Sequence, residues 1–227
     1  MLSAVMKKKV LSFGAHPDDI EMGCGGTEAL LAGKGHEVYH VVATSGEAGS
    51  RTIPKDELGR IREAEAQESA QVIGARVMAF LGYPDGLTSF TREMKIDLIK
   101  LIRSLRPDIV FVHASHENFT DHKIVHEWVL SALKGAGGPW FQEAEGDPWS
   151  PESVFGYEVW QPLERYGLAV DISDTIELKI EALKRHRSQI SASAYDEAFK
   201  GLARYRGVMS GAGDYAEVFE VIRISGF

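Results

Sequence analysis

The chain has 227 residues, 44% apolar and 26% charged, which is enough for one sizeable core; nothing reads as a long linker, so a single domain over 1–227 is expected. Its 33 acidic against 25 basic side chains give a formal charge of −8, which argues against a general nucleic-acid or anionic-membrane binder. The single cysteine, Cys24, cannot form an internal disulfide, no apolar run reaches bilayer length and no signal peptide is visible at "MLSAVMKKKV", so a cytoplasmic location is expected.

Lys8 to Ala15 reads as a buried strand. It runs straight into "HPDDIE", His16 to Glu21, and charged groups at the rim of a core are costly unless something pairs with them. Gly25 to Gly33 is predicted as a helix, closed by Gly-Lys-Gly before a second strand, Glu37 to Thr44. Pro54 to Gly74 has helical periodicity and ends at a glycine, and Ala75 to Leu81 is a short strand. Thr91 to Leu105 is amphipathic, with Ile96, Ile99, Leu101 and Ile102 on its apolar face. "RPDIVFVHAS" writes a fourth strand, Asp108 to Ala114, and Asp121 to Leu133 follows as a helix with Asp121 as its cap. Lys134 to Pro151 is rich in Gly, Trp, Pro and acids, and reads either as a lid or oligomer contact or as a plain surface loop. "SVFGYEVWQP" and "GLAVDIS" are read as strands, Asp174 to Arg187 and Ala194 to Val208 as helices, and Ala216 to Ile224 as a closing strand.

Strands alternating with helices imply an α/β fold, a mostly parallel sheet with helices on both faces. The loops that leave the C-terminal strand ends then open on one edge, where ligands bind in this architecture. Those loops are "HPDDIE", "TSGEAGSR", "GYPDGL" and "HASHENFTDH", and they hold most of the unusual chemistry of the sequence.

Zinc and similar cations take imidazole nitrogen and carboxylate oxygen, and a catalytic site keeps one position open for water. His16 and Asp19 lie three apart on a turn restrained by Pro17 and can face one point. Asp18 then projects beside the ion without binding it, and His122 is the best-placed third ligand. A metal there would polarise an amide or ester carbonyl and lower the pKa of its water, with Asp18 as the base that takes the proton. Arg62 or Arg51 would hold a carboxylate product or substrate oxygen through its planar fork.

Other readings of the same residues stand beside these. "HPDD" is also a turn in which Asp accepts backbone hydrogen bonds. His122 and His126 have the i, i+4 spacing of a ligand pair, but His126 also suits a surface or core position, and His113 lies on a strand as a packed core residue. His36, His40 and His186 are read as structural or solvated, and Arg62 also suits pairing with Glu65 or Glu68 along its helix. "GCGG", Gly23 to Gly26, lacks a dinucleotide or Walker fingerprint and suggests close approach of backbone to the site.

"AHPDDIEMGCGGT", "TSGEAGS", "IREAEA", "GYPDG", "TDH" and "DYAEVFEVIR", in that order, resemble the LmbE/PIG-L family of zinc-dependent N-deacetylases, which remove acetyl groups from N-acetylglucosamine-containing sugars and lipids. The resemblance spans nearly the whole chain and implies a Rossmann-like fold. It implies zinc on His16, Asp19 and His122, Asp18 as general base, and Arg62 in the substrate site as partner of the acetyl group or released acetate. It also implies a small N-acetylated sugar or conjugate as substrate, and a homo-oligomer, a trimer or hexamer. No polybasic or amphipathic anchor supports a lipid substrate. One departure is plain: many members carry a histidine three residues before the metal-binding histidine, and this chain has Phe119 there. The leaving amine still needs a proton, so Asp18 would serve both steps, with His116 and His126 as alternative acids. The same departure leaves open a weak or inactive metal-containing protein of this fold that binds a carbohydrate or nucleotide.

Overall fold

The computed structural model describes residues 6–86, 89–191 and 193–225. The first five residues of the stretch read for a signal peptide, and Leu87 of "GYPDGL", lie outside them. Seven strands form one sheet in the order β3-β2-β1-β4-β5-β7-β6. The strands are β1 (Lys9–Gly14), β2 (Glu37–Thr44), β3 (Ala75–Tyr83), β4 (Ile109–His113), β5 (Ser153–Tyr157), β6 (Leu168–Asp171) and β7 (Ala216–Ile224). Strands β1 to β5 pair in parallel, while β7 runs antiparallel to both β5 and β6. The helices are α1 (Asp19–Gly33), α2 (Lys55–Ile73), α3 (Arg92–Leu105), α4 (Thr120–Ala136), α5 (Ile176–Leu183), α6 (Arg187–Ile190) and α7 (Tyr195–Ser210).

Alternation along the central strands builds a core on each face, because successive side chains point to opposite sides. Val10, Phe111 and Phe155 pack with Ile20, Ile180 and Leu183 on one face. Leu11, Phe13, Val110, Val112 and Val154 pack with Leu98, Ile102 and Trp128 on the other. Chain order runs outward from β1 through β2 to β3, then returns to place β4 on the far side of β1. The sheet therefore switches direction between β1 and β4, and their C-terminal ends flank the crevice in which ligands bind in such sheets.

Several element bounds differ from the sequence reading, each for a physical reason. Helix α1 begins at Asp19, six residues before the predicted Gly25, because its glycines serve contact rather than termination. A Cβ on Gly23 would lie 2.0 Å from Tyr157 Cδ2, and one on Gly26 would lie 2.6 Å from Ile172 Cδ1. The close approach expected of "GCGG" is thus helix against sheet and against the segment after β6. A buried pair also grips the middle of α1: the Gly26 and Thr27 N–H groups donate to the Glu217 carboxylate at 2.9 and 2.7 Å, and Lys179 Nζ donates to Met22 O at 2.7 Å. Helix α4 starts at Thr120 with Phe119 at the cap position, so Asp121 is not a cap and its carboxylate is committed elsewhere. The helix expected over Asp174 to Arg187 divides into α5 and α6, with His186 in the turn between them.

The excursion read as Lys134 to Pro151 is not a lid over the strand-end loops. Its first three residues complete α4, and the rest folds around Arg103, whose guanidinium donates to the carbonyls of Gly138 at 2.9 Å and Trp140 at 2.8 Å. Trp149 Nε1 donates to Pro107 O at 2.7 Å, which ties the segment to the start of β4, the sheet edge opposite the crevice. Among the described residues no helix is long and apolar enough to cross a membrane.

Candidate metal centre and active site

The loop after β1 supplies His16, Asp18 and Asp19, and the first turn of α4 supplies His122. The loop is shaped locally: Pro17 fixes its backbone and the His16 N–H donates to Asp19 Oδ2 at 2.7 Å, which turns that carboxylate inward. His16 Nδ1 lies 3.3 Å from His122 Nε2 and 3.4 Å from Asp19 Oδ2, and His122 Nε2 lies 3.3 Å from Asp19 Oδ1. A tetrahedral ion with ligand bonds of about 2.0–2.1 Å has ligand–ligand edges of roughly 3.3 Å, so the triangle is the size that such an ion requires. These residues form a cluster able to hold a metal ion.

The outward nitrogens of both rings are held by carboxylates, as in histidine ligands whose tautomer is fixed from behind. His16 Nε2 faces Asp85 Oδ1 at 3.1 Å and Asp121 Oδ2 at 3.2 Å, while His122 Nδ1 faces Glu117 Oε2 at 3.1 Å. Backbone donors orient those acids in turn: Ala48 N–H to Asp85, Gly86 N–H to Asp121, and the Trp160 and Gln161 N–H groups to Glu117. Burial disfavours a proton on His122, but Asp19 and Glu117 outweigh it and lift the ring to about 9. Burial likewise would raise Asp19, yet His122, His113 and His16 around it hold it well below the usual carboxylate range. A cation binding here would have to displace protons from imidazoles that surround an ionised carboxylate.

Asp18 stands beside this triangle and contributes no atom to it. Its Oδ1 accepts from Arg62 Nη2 at 2.9 Å, and the pair is buried, with side chains 8% and 5% exposed. Arg62 Nη1 donates to Gly46 O at 2.9 Å. Gly46 has φ of 61°, and a Cβ there would lie 2.3 Å from that same nitrogen, so glycine is what admits the guanidinium. Arg62 does not pair with Glu65 or Glu68, which instead meet Ser188 and Arg187. Arg51 is exposed.

The remaining histidines separate. His116 is exposed. His126 is buried and its Nδ1 meets His113 O at 2.7 Å, which ties it to β4. His113 is a core residue as expected, but it is also part of the cluster's surroundings: it stacks on His122 with centroids 3.9 Å apart, and its Nε2 lies 3.2 Å from Asp19 Oδ2. Burial, with His122 beside it, pushes His113 down to about 4, so it stays neutral. His40 pairs with buried Glu28 at 2.7 Å, and His186 faces buried Glu21 at 3.6 Å. Asp85, Asp121 and Glu117 are the residues that sequence reasoning missed as ring holders; their signal was an acid on each loop expected at this edge.

A cavity of about 340 Å³ opens beside the triangle. His16, Asp18, Asp19, Arg62 and Asp85 line it, together with Phe119, Trp160 and Tyr195.

The family model described as PIG-L, GlcNAc-PI de-N-acetylase, matches residues 11–133 of this chain, from β1 through the strand-end loops into α4. The chain belongs to the PIG-L family. Among PIG-L-like relatives, the diacetylchitobiose deacetylase of Thermococcus kodakarensis is 31% identical over 216 residues, covering 90% of this chain and 79% of that protein. The solved N,N'-diacetylchitobiose deacetylase from Pyrococcus horikoshii, complexed with its inhibitor MPG, has a TM-score of 0.85 at 30% identity, covering 96% of this chain and 84% of that one. The 4-carboxy-2-hydroxymuconate hydratase of Pseudomonas putida KT2440 has a TM-score of 0.86 at 22% identity, over 97% of this chain and 99% of that one. That likeness is one of fold alone, and the PIG-L fold thus carries more than one reaction; the site must decide the chemistry.

Proposed function

We propose that the chain is a metal-dependent hydrolase that removes the acetyl group from the N-acetyl amine of an amino sugar or sugar conjugate, and that the metal is zinc. The observation that carries this reading is the triangle of His16, Asp19 and His122 with an unligated carboxylate, Asp18, beside it. Two imidazoles and one carboxylate match the ligand types of catalytic zinc. His16, Asp19 and His122 would hold the ion, which would polarise the acetamide carbonyl and lower the pKa of water.

Asp18 is the base that takes a proton from the attacking water. Arg62 keeps it oriented through the 2.9 Å contact from Nη2 to Oδ1. Asp18 Oδ2 makes no hydrogen bond among the described residues and is the oxygen available for the transfer. Arg62 Nε is buried without an acceptor, which supports a role for this guanidinium toward the acetyl oxygen or the released acetate. When the C–N bond breaks, the amine takes one proton, and Asp18 returns the one it accepted. Phe119 has no proton to give. His116 is exposed and His126 is tied to His113 O, so Asp18 is the better supported acid.

Phe119 also favours a second reading, a metal-containing protein of this fold that binds a carbohydrate or nucleotide with little or no turnover. The experiment that separates them incubates the zinc-loaded protein with a panel of N-acetylated amino sugars and measures free amine. The hydrolase reading expects release of amine that stops when the metal is stripped. A fully loaded protein that is inert over the whole panel would leave the binding reading.

A further inference from the structure

Phe119 is half-exposed, at 51%, although it stands against His122 with ring centroids 5.6 Å apart. Behind it lie Trp160, at 5.6 Å and tilted by 31°, and then Tyr195, edge-on to Trp160 at 5.3 Å. Phe199 backs the indole at 6.5 Å. Phe119, Trp160 and Tyr195 line the same cavity as His16, Asp18 and Asp19. The Trp160 backbone is tied to the carboxylate that also holds His122: Glu117 Oε2 accepts from the Trp160 backbone N–H at 3.1 Å and faces His122 Nδ1 at 3.1 Å. The aromatic wall and the metal triangle are therefore built as one unit.

The rest of the lining is mostly polar: Asp18, Asp19, Asp85, Arg62 and Gln189 stand with the aromatic residues around the cavity. A pyranose suits these surfaces, because one face of the chair presents C–H groups and its rim presents hydroxyls.

We infer that Phe119, backed by Trp160 and Tyr195, is the platform on which the apolar face of an N-acetylhexosamine ring stacks. This rests on the hydrolase reading for turnover, but not for binding.

The test measures kcat/KM of zinc-loaded wild type, Phe119→Ala and Phe119→Tyr on the β-1,4-linked dimer of N-acetylglucosamine, and on an acyclic N-acetyl amine that has no ring to stack. Loss of one stacked ring predicts about a tenfold fall in the sugar's advantage over the acyclic amide in Phe119→Ala, appearing in KM, with recovery in Phe119→Tyr. An unchanged ratio with turnover intact overturns the platform and leaves the hydrolase reading standing. In parallel, sugar binding to the zinc-loaded Asp18→Asn variant, with and without Phe119→Ala, is followed by calorimetry. Binding that weakens with loss of the ring supports the platform even where the zinc-loaded wild type turns over no sugar, and an inert wild type counts only against the hydrolase reading. Sugar binding that is unchanged on loss of the Phe119 ring overturns the inference.

Discussion

Asp18→Asn separates the chemistry from the metal, because the substitution keeps the shape of the side chain and removes its charge and basicity. The asparagine oxygen can still accept from Arg62 across the present 2.9 Å contact. The positive charge of Arg62 then stays buried, 5% exposed, beside a neutral partner. Breaking a buried ion pair costs about 3–5 kcal/mol, and the retained hydrogen bond places this variant near the lower bound. Losing a positioned general base costs about 10²- to 10⁴-fold in rate, or roughly 2.7–5.4 kcal/mol of barrier. Neither effect touches the triangle, to which Asp18 contributes no atom. The assay is single-turnover amine release on samples whose zinc content is measured in the same tube, with urea unfolding alongside. The expected variant binds zinc as wild type does, unfolds at lower urea and turns over at least a hundredfold more slowly. Turnover within about threefold of wild type at full zinc occupancy would refute Asp18 as the base.

Arg62→Ala removes the partner of a buried carboxylate and should lower unfolding free energy by about 3–5 kcal/mol, an effect that an unshifted urea midpoint would contradict. Gly23→Ala drives a methyl to within 2.0 Å of Tyr157 Cδ2 and should cost about 1–3 kcal/mol as α1 moves off the sheet, measured by thermal melting. Trp149→Phe loses the indole bond to Pro107 O, worth about 1 kcal/mol, at the edge opposite the cavity. Its melting point should fall while kcat and KM stay at wild-type values, and a raised KM would return the excursion to the mouth of the cavity.

The layout of strands and helices was legible because the central strands are strongly apolar and alternate with helical periodicity, and because Gly74 and Thr91 sit where a helix end and a helix cap need them. The loops that meet at the crevice followed from that layout, and with them His16, Asp18, Asp19 and His122. The start of α1 was misread because glycines count against a helix in isolation, whereas here tertiary contacts at Tyr157 and Ile172 require them. The same kind of long-range pairing hid the partner of Arg62, which reaches across 44 positions to Asp18 rather than along its own helix. Asp121 looks like a cap from its place before a helix, yet its carboxylate faces His16 Nε2 and the Gly86 N–H. Trp149 and the glycines near it gave no sign of which sheet edge they would cover, since only the contact with Pro107 decides it.

The proposed chemistry requires that His16, Asp19 and His122 share one divalent ion. Zinc X-ray absorption on the full chain, with metal content measured for wild type and His122→Ala, tests it most directly. One zinc per chain in a shell of two imidazoles and oxygen, with the occupancy lost in His122→Ala, is the predicted result. Zinc that remains bound in His122→Ala with the wild-type spectrum would contradict it.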